Sequence, residues 1–253
     1  MFLLISLPVL SANNINYVSQ TNFVENLDTG KIFDSIQGSI DDINTLDGHT
    51  IFVSEGTYFE NVIVNKSINL LGENSDTTII DGGKIDDVVK IVTDQVVISN
   101  FTIQNGGNGI YLYSNYSNIV DNMIKYNSVG IFFNPPSCHD NIILDNIITK
   151  NSKRGIYLFA AENNRIIGNN ISYNGYDGII LYWWSSENVI SNNIFQNNGG
   201  FGIFLDTASS TLVTSNYLLS DSIVIRSDSC YHSSSHIIEN NSVNDKPIRY
   251  YNN

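Results

Sequence analysis

The chain has 253 residues and an acidic composition, with 25 Asp and Glu against 12 Lys and Arg and a formal net charge of −13 at pH 7. Nucleic-acid binding depends on clustered cations that neutralise phosphates, so this composition argues against a nucleic-acid partner. No segment after the first ten residues approaches the length of a transmembrane helix, and no membrane insertion of the mature chain is expected.

The N-terminal residues are apolar. Residues 2–10 form a hydrophobic run followed by Ser11-Ala12-Asn13, a pattern typical of the end of a signal peptide that is cleaved after Ala12. Residues 1–12 are therefore predicted to be the remnant of a signal peptide, although the usual basic start is missing; a buried first strand is the alternative. Residues 13–30 are then a linker or an N-terminal extension, and the chain is expected to be secreted.

The next segment has helical periodicity. Its apolar residues recur at a spacing of three or four and are Ile32, Phe33, Ile36, Ile40 and Ile43. This spacing predicts an amphipathic helix over residues 31–46. Such a helix would cap the open end of a repeat structure, where strand edges and core are otherwise bare. Residues 50–108 contain short apolar runs in less regular order and are assigned to the first coils.

From residue 109 to the end the chain repeats a tetrapeptide at a spacing of 20 to 25 residues. The copies are Gly109-Ile110-Tyr111-Leu112, Gly130-Ile131-Phe132-Phe133, Gly155-Ile156-Tyr157-Leu158, Gly178-Ile179-Ile180-Leu181, Gly202-Ile203-Phe204-Leu205 and the degenerate Ser222-Ile223-Val224-Ile225. Each repeat holds three apolar runs that are too short for helices and suit strands. The pattern predicts an all-β fold, a right-handed parallel β-helix with three strands per coil, over residues 31–253.

Two columns of Asn are in phase with the tetrapeptide. The first consists of Asn100, Asn122, Asn146, Asn170, Asn193, Asn216 and Asn241, and the second of Asn105, Asn127, Asn151, Asn174 and Asn198. Asn tolerates the left-handed conformation of a sharp corner, and its amide can bond to backbone and to the Asn of the next coil. The columns are therefore predicted to be structural, and the Gly of the tetrapeptide to permit close backbone approach.

The two cysteines are not expected to pair with each other. Cys138 and Cys230 lie four coils apart, which places them about 19 Å apart along a stack with a strand spacing of about 4.8 Å. This distance is beyond the reach of a disulfide bond. Both are assigned as thiols in loops, with pairing to another chain as a minor alternative.

The chain resembles the pectin-lyase-like superfamily and, within it, the NosD-type β-helix repeats. The motifs are Gly-His-Thr-Ile-Phe-Val at 48–53, Gly-Thr-Tyr-Phe-Glu-Asn-Val at 56–62 and Ile-Ile-Asp-Gly at 79–82, followed by the Asn and Gly-Ile coils. The resemblance covers about residues 31–250 and implies the fold more strongly than an activity. The closing segment 243–251 resembles one that such repeats usually follow with more coils, so a longer parent chain or further domains are expected.

The resemblance also brings in enzymes, because the superfamily contains esterases, lyases, hydrolases and epimerases. Gly56, Tyr58 and Glu60 match an element that is structural in pectin methylesterases, whereas the catalytic motifs of those enzymes, of pectate lyases and of polygalacturonases have no counterpart in this sequence. Acid–base chemistry on a sugar chain needs two positioned carboxylates or an acid with a strong base. Asp177 and Asp206 are the nearest candidates for such a catalytic pair.

The outward side of the tetrapeptide strands is aromatic. Because the Ile and Leu point inward, the residue between them and the residue after Leu point out. The outward and adjoining aromatic residues are Tyr111, Tyr113, Phe132, Tyr157, Phe159, Tyr182, Trp183, Trp184 and Phe204, interrupted by Ile180 and followed by Asp206. Flat aromatic faces one coil apart could stack on sugar rings, which predicts a glycan-binding surface. The alternative is that the rings only stabilise neighbouring strands or lie under loops.

The NosD resemblance also raises copper, for which Cys, Met and imidazole are suitable ligands. Cys230, His232 and His236 lie close together in the sequence and could supply three ligands. A Ser-rich loop that contains His by chance is the alternative, and no cofactor is assigned.

The sequence as a whole favours a secreted or cell-surface β-helix that acts as a glycan-binding or adhesin-like module, with a polysaccharide or a cell-surface glycan as its partner. The alternatives are a polysaccharide-active enzyme of the pectin-lyase-like superfamily and a NosD-like copper accessory protein. A carboxylate cluster on the outer face would favour the enzyme, whereas aromatic residues without such a cluster favour binding.

Overall fold

The computed structural model describes residues 22–135, 138–226 and 235–248. Within these residues the strands form three sheets of 11, 10 and 8 strands, named A, B and C below. Nearly every strand pairs in parallel with its counterpart one coil away, as Ile131 does with Ile156. The molecule is a right-handed parallel β-helix of about eight coils, which confirms the predicted fold class.

The strands are numbered in chain order, and from β3 to β28 every third strand along the chain belongs to the same sheet. Sheet A contains β2 (Lys31–Phe33), β1 (Val24–Asn26), β3 (Thr50–Val53), β6 (Asn69–Gly72), β9 (Val97–Ser99), β12 (Asn118–Val120), β15 (Ile142–Leu144), β18 (Arg165–Ile167), β21 (Val189–Ser191), β24 (Leu212–Thr214) and β27 (Ile237–Glu239). Sheet B contains β4 (Gly56–Tyr58), β7 (Thr78–Asp81), β10 (Thr102–Gln104), β13 (Met123–Lys125), β16 (Ile147–Thr149), β19 (Asn170–Ser172), β22 (Ile194–Gln196), β25 (Tyr217–Leu219), β28 (Ser242–Val243) and β29 (Lys246–Pro247). Sheet C contains β5 (Val62–Val64), β8 (Val89–Ile91), β11 (Asn108–Leu112), β14 (Val129–Phe133), β17 (Ile156–Phe159), β20 (Ile179–Tyr182), β23 (Ile203–Asp206) and β26 (Ile223–Arg226).

The core is a stack of aliphatic residues, one layer per coil. The central residue of most three-residue strands points inward and is fully buried, as are Ile119 in sheet A and Ile124 in sheet B. In sheet C the Ile and Leu of the tetrapeptide do the same, for example Ile156 and Leu158. Side chains alternate between the two faces of a strand, so a single apolar residue per short strand is enough to fill the interior.

Asn side chains hold the corners of the coils in hydrogen-bonded ladders. Asn146 at the A–B corner is typical: its amide nitrogen donates to Ile119 O at 2.8 Å and to Asn169 Oδ1 at 3.0 Å. Its Oδ1 accepts from the backbone N–H of Asn122 at 3.0 Å. These bonds satisfy polar backbone groups that the corner would otherwise bury without partners. The second predicted column runs along the B–C corner in the same way, from Asn127 to Asn198.

The predicted columns were wrong at three positions. Asn169, not Asn170, belongs to the first column. Phe101 and Gly106, not Asn100 and Asn105, hold the ladder positions, and their backbone N–H groups donate to Asn122 Oδ1 and Asn127 Oδ1 of the next coil. The reason is that the left-handed residue comes directly before the ladder residue and is not the ladder residue itself. Asn100 and Asn105 occupy this left-handed position, with φ of 64° and 60°.

A third ladder, which the sequence analysis missed, runs along the C–A corner. Asn141, Asn164 and Asn188 are fully buried there, and each accepts from the backbone N–H of the residue one coil before it. Thr211 and His236 continue the same corner, where Thr211 N donates to His236 Nδ1 at 3.3 Å.

The Gly of the tetrapeptide is required by close approach between coils, as predicted. A Cβ on Gly130 would lie 2.4 Å from the carbonyl oxygen of Gly155, and a Cβ on Gly155 would lie 2.5 Å from that of Gly178. These distances are far below van der Waals contact. Any side chain at these positions would push adjacent coils apart.

The N-terminal part of the fold differs from the prediction in two places. The helix α1 covers only Ile36–Asp41 rather than 31–46, because Lys31–Phe33 forms strand β2 and pairs antiparallel with β1. Strand β1 lies within the predicted linker 13–30 and pairs with both β2 and β3. Pairing with the sheet edge therefore overrides the helical periodicity. The predicted signal peptide, residues 1–12, lies outside the described residues.

Helix α1 does cap the first coil. The amide side chain of Gln37 accepts from Ile63 N at 2.7 Å and donates to Ile63 O at 3.2 Å, so it satisfies the free edge of β5. Glu60 in turn accepts from the backbone N–H groups of Ile36 and Gln37 at 2.9 and 2.8 Å. A carboxylate at a helix N-terminus is favourable because it meets unpaired N–H groups and the positive end of the helix dipole. Glu60 of the Gly-x-Tyr-x-Glu element is therefore structural.

Candidate functional site

The outward side of sheet C carries a continuous array of rings, called the aromatic face below. Tyr111, Phe132 and Tyr157 occupy equivalent positions in three successive coils. Their ring centroids are 5.7 and 5.2 Å apart, with tilted or edge-on geometry. This spacing follows from the strand separation and gives favourable aromatic contacts. The column continues with Ile180 and Phe204.

A second column of rings lies beside the first, at the end of the same strands. Phe159 and Tyr182 are stacked, with centroids 5.8 Å apart and planes at 25°, and Trp183 lies 5.3 Å from Phe159. Tyr157 contacts both Phe159 and Tyr182 across the columns, at 6.4 and 6.2 Å. Six rings therefore form one connected cluster on four coils, from Tyr111 to Trp183.

The aromatic face is only partly open to solvent. Ile180 points outward as expected but is only 3% exposed, and most of the flanking rings are half-buried. Trp183 and Trp184, by contrast, are 53% and 65% exposed, and Tyr113 is also exposed. The sequence predicted a single glycan-binding surface that includes all nine aromatic residues. The structure divides them into a packed centre, which stabilises the sheet, and an open edge at the tryptophans.

Trp183 and Trp184 are held in an unusual backbone conformation. Their φ angles are 44° and 68°, a left-handed region that is uncommon for bulky residues and costs about 1–2 kcal/mol per residue. Backbone bonds to the next coil hold them there, from Trp183 N to Asp206 O and from Trp184 N to Thr207 O, at 3.2 and 3.1 Å. With Ala160 they line an apolar cleft of about 230 Å³.

Cations lie over the rings of the aromatic face. The guanidinium of Arg154 is 4.9 Å from the Tyr157 centroid, the ammonium of Lys90 is 5.1 Å from Tyr111, and the guanidinium of Arg226 is 5.2 Å from Phe204. Such contacts are attractive because the ring face is electron-rich. Burial raises the pKa of the Tyr157 phenol, which the nearby Arg154 partly opposes. Tyr157 therefore stays protonated as a hydrogen-bond donor at neutral pH.

The structure does not bring Asp177 and Asp206 together as a catalytic pair. Asp177 lies before β20, and Asp206 ends β23 and pairs in register with Tyr182. Five residues separate Asp177 from Tyr182, which corresponds to about 16 Å along a strand. Glycoside hydrolysis uses carboxylates within about 10 Å of each other. The two carboxylates thus lie at opposite ends of the neighbouring strands β20 and β23 of sheet C.

Each of these two carboxylates is also engaged in a local ion pair. Asp177 pairs with Arg154 at 3.4 Å and accepts from Phe201 N at 3.0 Å. Asp206 is buried and accepts from two nitrogens of Arg226, one of them, Nε, at 2.9 Å. These bonds position the arginines that cover Tyr157 and Phe204, which gives both carboxylates a structural explanation.

The proposed metal ligands are not assembled within the described residues. Cys230 and His232 lie outside the part of the chain that the structure describes. His236 is buried and takes part in the C–A corner through its bond to Thr211. Among the described residues, no three His, Cys, Asp or Glu side chains are grouped as a metal site.

Cys138 lies in the loop between β14 and β15, as predicted, and its side chain is fully buried. Its Sγ donates to the carbonyl oxygens of Leu112 and Asn134, at 3.0 and 3.1 Å. Burial raises the pKa of this thiol to about 12, so the reactive thiolate is essentially absent at neutral pH. Cys138 behaves as a core residue that also satisfies backbone carbonyls.

Comparison with known proteins places the chain in a family. A family model described as "Periplasmic copper-binding protein (NosD)" matches residues 42–244, which is most of the chain. The chain belongs to the NosD family. This NosD-family chain is 39% identical, over 111 residues, to a cell surface glycoprotein of Methanothermus fervidus. The matched stretch is 44% of this chain and only 18% of the glycoprotein.

Solved structures share the pectin-lyase-like fold of this NosD-family chain. An alginate lyase from Paenibacillus sp. has a TM-score of 0.70 and 18% identity, over 82% of this chain and 83% of that chain. Pectin methylesterase from carrot has a TM-score of 0.57 and 13% identity, over 85% and 80%. At these identities the likeness shows the fold alone. No helix among the described residues is long and apolar enough to cross a membrane.

Proposed function

We propose that this chain is a cell-surface β-helix that binds a linear glycan, in the manner of an adhesin module, at the open edge of its aromatic face. The observation that carries the proposal is the pair Trp183 and Trp184, two large rings that stay more than half exposed beside an apolar cleft. Isolated exposed apolar residues are common, but two adjacent exposed rings beside an apolar cleft are typical of a binding surface.

The backbone at the tryptophans supports a binding role over a packing role. Bulky residues in the left-handed conformation lower stability, and the corner would accept Gly or Asn at no such cost. Single left-handed residues occur at many corners of this chain, whereas this corner holds two bulky ones in succession, and such strain is retained mostly where it serves a function. The rigid ladder beneath the corner also keeps the rings fixed before binding, which reduces the entropy that binding must offset.

The comparisons agree with this proposal in a general way. The related stretch belongs to a cell surface glycoprotein, and proteins of the same fold carry names of enzymes that act on polysaccharides. A polysaccharide-active enzyme is the alternative. Binding is favoured because Asp177 and Asp206 are each paired with an arginine and lie at opposite strand ends, so they do not form a closely spaced pair of carboxylates.

The test begins with an array of linear neutral and acidic oligosaccharides, followed by calorimetric titration of the tightest ligand. The double variant Trp183→Asn, Trp184→Asn keeps residues that tolerate the left-handed corner, so its unfolding midpoint should not fall. Its affinity should be lower by at least about tenfold, as expected when central aromatic contacts are removed. Tyr116→Asn is the matched control, because Tyr116 is an exposed, left-handed aromatic residue at another corner.

Two results would count against this function. If the array shows no affinity, or if the tryptophan variant binds as well as the parent, the rings have only a structural role. If the parent releases reducing ends or unsaturated products and the Asp177→Asn, Asp206→Asn variant does not, the enzyme alternative replaces the binding module.

A further inference from the structure

A second surface, at the corner between sheets B and C, has a chemistry opposite to that of the chain as a whole. A groove of about 470 Å³ separates two lysines at this corner, with one tyrosine between them. The lining residues are Lys84, Asn105, Gly106, Tyr126, Asn127, Ser128, Lys150 and Ser152. No carboxylate of the described residues belongs to this lining, although the chain carries a net charge of −13. We call this surface the basic corner.

The cations of the basic corner converge on Tyr126. The ammonium nitrogens of Lys125 and Lys150 lie 5.8 and 5.9 Å from the centroid of its ring. Lys125 also contacts the sulfur of Met123 at 3.2 Å. Within the described residues, the ion pairs with carboxylates involve other cations, namely Lys31, Arg154 and Arg226. The charges of Lys125 and Lys150 are therefore available to a ligand.

The ladder of the B–C corner fixes these groups at regular spacing. Tyr126, Lys150 and Tyr173 are equivalent residues of three successive coils, since the residues before them pair in register. Each immediately precedes a ladder Asn and has a positive φ. The side chains therefore repeat at about 4.8 Å, and Tyr126 lies about 10 Å from Tyr173. Tyr126 and Tyr173 are both 51% exposed.

The structure assigns the basic corner as a binding site for an acidic polysaccharide, a linear chain whose sugars carry carboxylate or sulfate groups. The anionic groups would meet the ammonium groups of Lys125 and Lys150, while sugar faces would lie against Tyr126 and Tyr173. Lys84 contributes less, because Asp81, which accepts from Asn105 Nδ2 at 2.7 Å, lies near it and offsets its charge. Each sugar residue extends a linear chain by a length comparable to the rise of about 4.8 Å between neighbouring coils. The repeat of the corner and the repeat of the ligand can therefore stay in step.

The acidic remainder of the molecule makes this site selective. Charges further away than about 8 Å are largely screened at physiological ionic strength, so the local lysines decide the potential in the groove. The A–B corner provides the contrast, because the groove there is lined by Asp121 and Asp145. An acidic ligand is thus attracted to the B–C corner and repelled by the A–B corner.

This inference goes beyond the function proposed above, because it concerns a different face of the molecule. It is tested by titrating the full chain, at physiological ionic strength, with three hexasaccharides: hexagalacturonate for carboxylates, chondroitin sulfate hexasaccharide for sulfates and maltohexaose as the neutral probe. Lys125→Gln with Lys150→Gln removes the paired charges, and Tyr126→Asn removes the ring while keeping a residue that tolerates its backbone. Arg165→Gln with Lys246→Gln is the control, because it changes the net charge equally at other positions.

The expected result is binding of at least one acidic hexasaccharide but not of maltohexaose. The lysine variant should weaken that binding about tenfold and Tyr126→Asn by a similar factor, while the control should change it by less than about twofold. Affinity should also fall as salt is added. Every titration is made in the Trp183→Asn, Trp184→Asn background, which removes the proposed glycan site of the aromatic face, so the binding that remains is that of the basic corner.

Four results would overturn the inference. These are the absence of binding to both acidic probes, equal binding of maltohexaose, equal losses in the lysine variant and the charge-matched control, and equal affinity for a single-stranded oligothymidylate. The last result would show a general attraction to polyanions instead of glycan recognition. If the lysine variant is unstable, Tyr126→Asn still decides the outcome, since retained affinity in that variant contradicts the role of the ring.

Discussion

Asp221 occupies a position in the B–C ladder where every described coil from Asn127 to Asn198 has Asn. Its Oδ2 accepts from Asn198 Nδ2 at 2.9 Å, as the Oδ1 of an Asn would. Its Oδ1 is buried and has no hydrogen-bond partner among the described residues. In the coil before, the equivalent atom is the amide nitrogen of Asn198, which donates to Ile171 O at 3.0 Å. An Asn at 221 would therefore complete the ladder.

The carboxyl group at this position depends on pH. Burial raises the pKa of Asp221 to about 6 from an ordinary value of 3.8, while its hydrogen bonds with Asn198 partly oppose the rise. Between about pH 4 and pH 6 the folded chain holds a proton that the unfolded chain has lost, so this group lowers stability as the pH rises through that window. The penalty is complete above about pH 6. The penalty amounts to about 1–3 kcal/mol, and the upper value applies only without solvent screening.

Asp221→Asn should remove that penalty. Urea unfolding followed by circular dichroism should show the variant more stable than the parent by about 1–3 kcal/mol at pH 7.5 and by little at pH 4, where the carboxyl is protonated. Asp121→Asn is the control, because Asp121 is exposed in a left-handed corner that Asn suits equally well. An equal gain at both pH values, or a loss at pH 7.5, would refute the reasoning about Asp221.

Two further predictions concern the core and the A–B ladder. Ile148→Ala should lower the free energy of unfolding by about 2–5 kcal/mol, because it leaves a cavity in the core. Ile147→Ala, on the exposed side of the same strand, should lower it by less than about 1 kcal/mol. Similar losses of stability in urea unfolding would mean that the inward-facing residues are misassigned. Asn146→Ala should lower the free energy of unfolding by about 1–3 kcal/mol, since it leaves buried backbone groups unpaired. Asn118→Ala, on the outer side of β12, should be nearly neutral. A neutral Asn146→Ala would contradict the ladder.

Much of the fold could be predicted from the repeat. The tetrapeptide spacing predicts three strands per coil and the inward Ile and Leu, because a parallel stack needs the same residue type at the same position of each coil. The helix boundaries could not be predicted in this way, since Lys31–Phe33 pairs with β1 although its apolar residues fit a helix. The third ladder was missed because Asn is so frequent in this chain that only the backbone shows which Asn is buried.

The candidate sites show the same division. The aromatic face could be predicted, because its residues hold fixed positions beside the tetrapeptide. The basic corner could have been found as well: Tyr126, Lys150 and Tyr173 each precede an Asn of the second column. In the sequence the lysines are scattered, because Lys84 and Lys150 are distant in the chain. They come to line one groove only when the coils stack.

By itself the sequence determined the length of the coil, the apolar interior and most positions of two of the three columns that stabilise the corners. Those features repeat, and a repeat in one dimension defines a position in the stack. Only the tertiary structure decided which outward residues are open to a ligand. Exposure depends on the neighbours above, below and beside a side chain, so Ile180 is covered between Tyr157 and Phe204 while Trp183, three residues later, remains exposed.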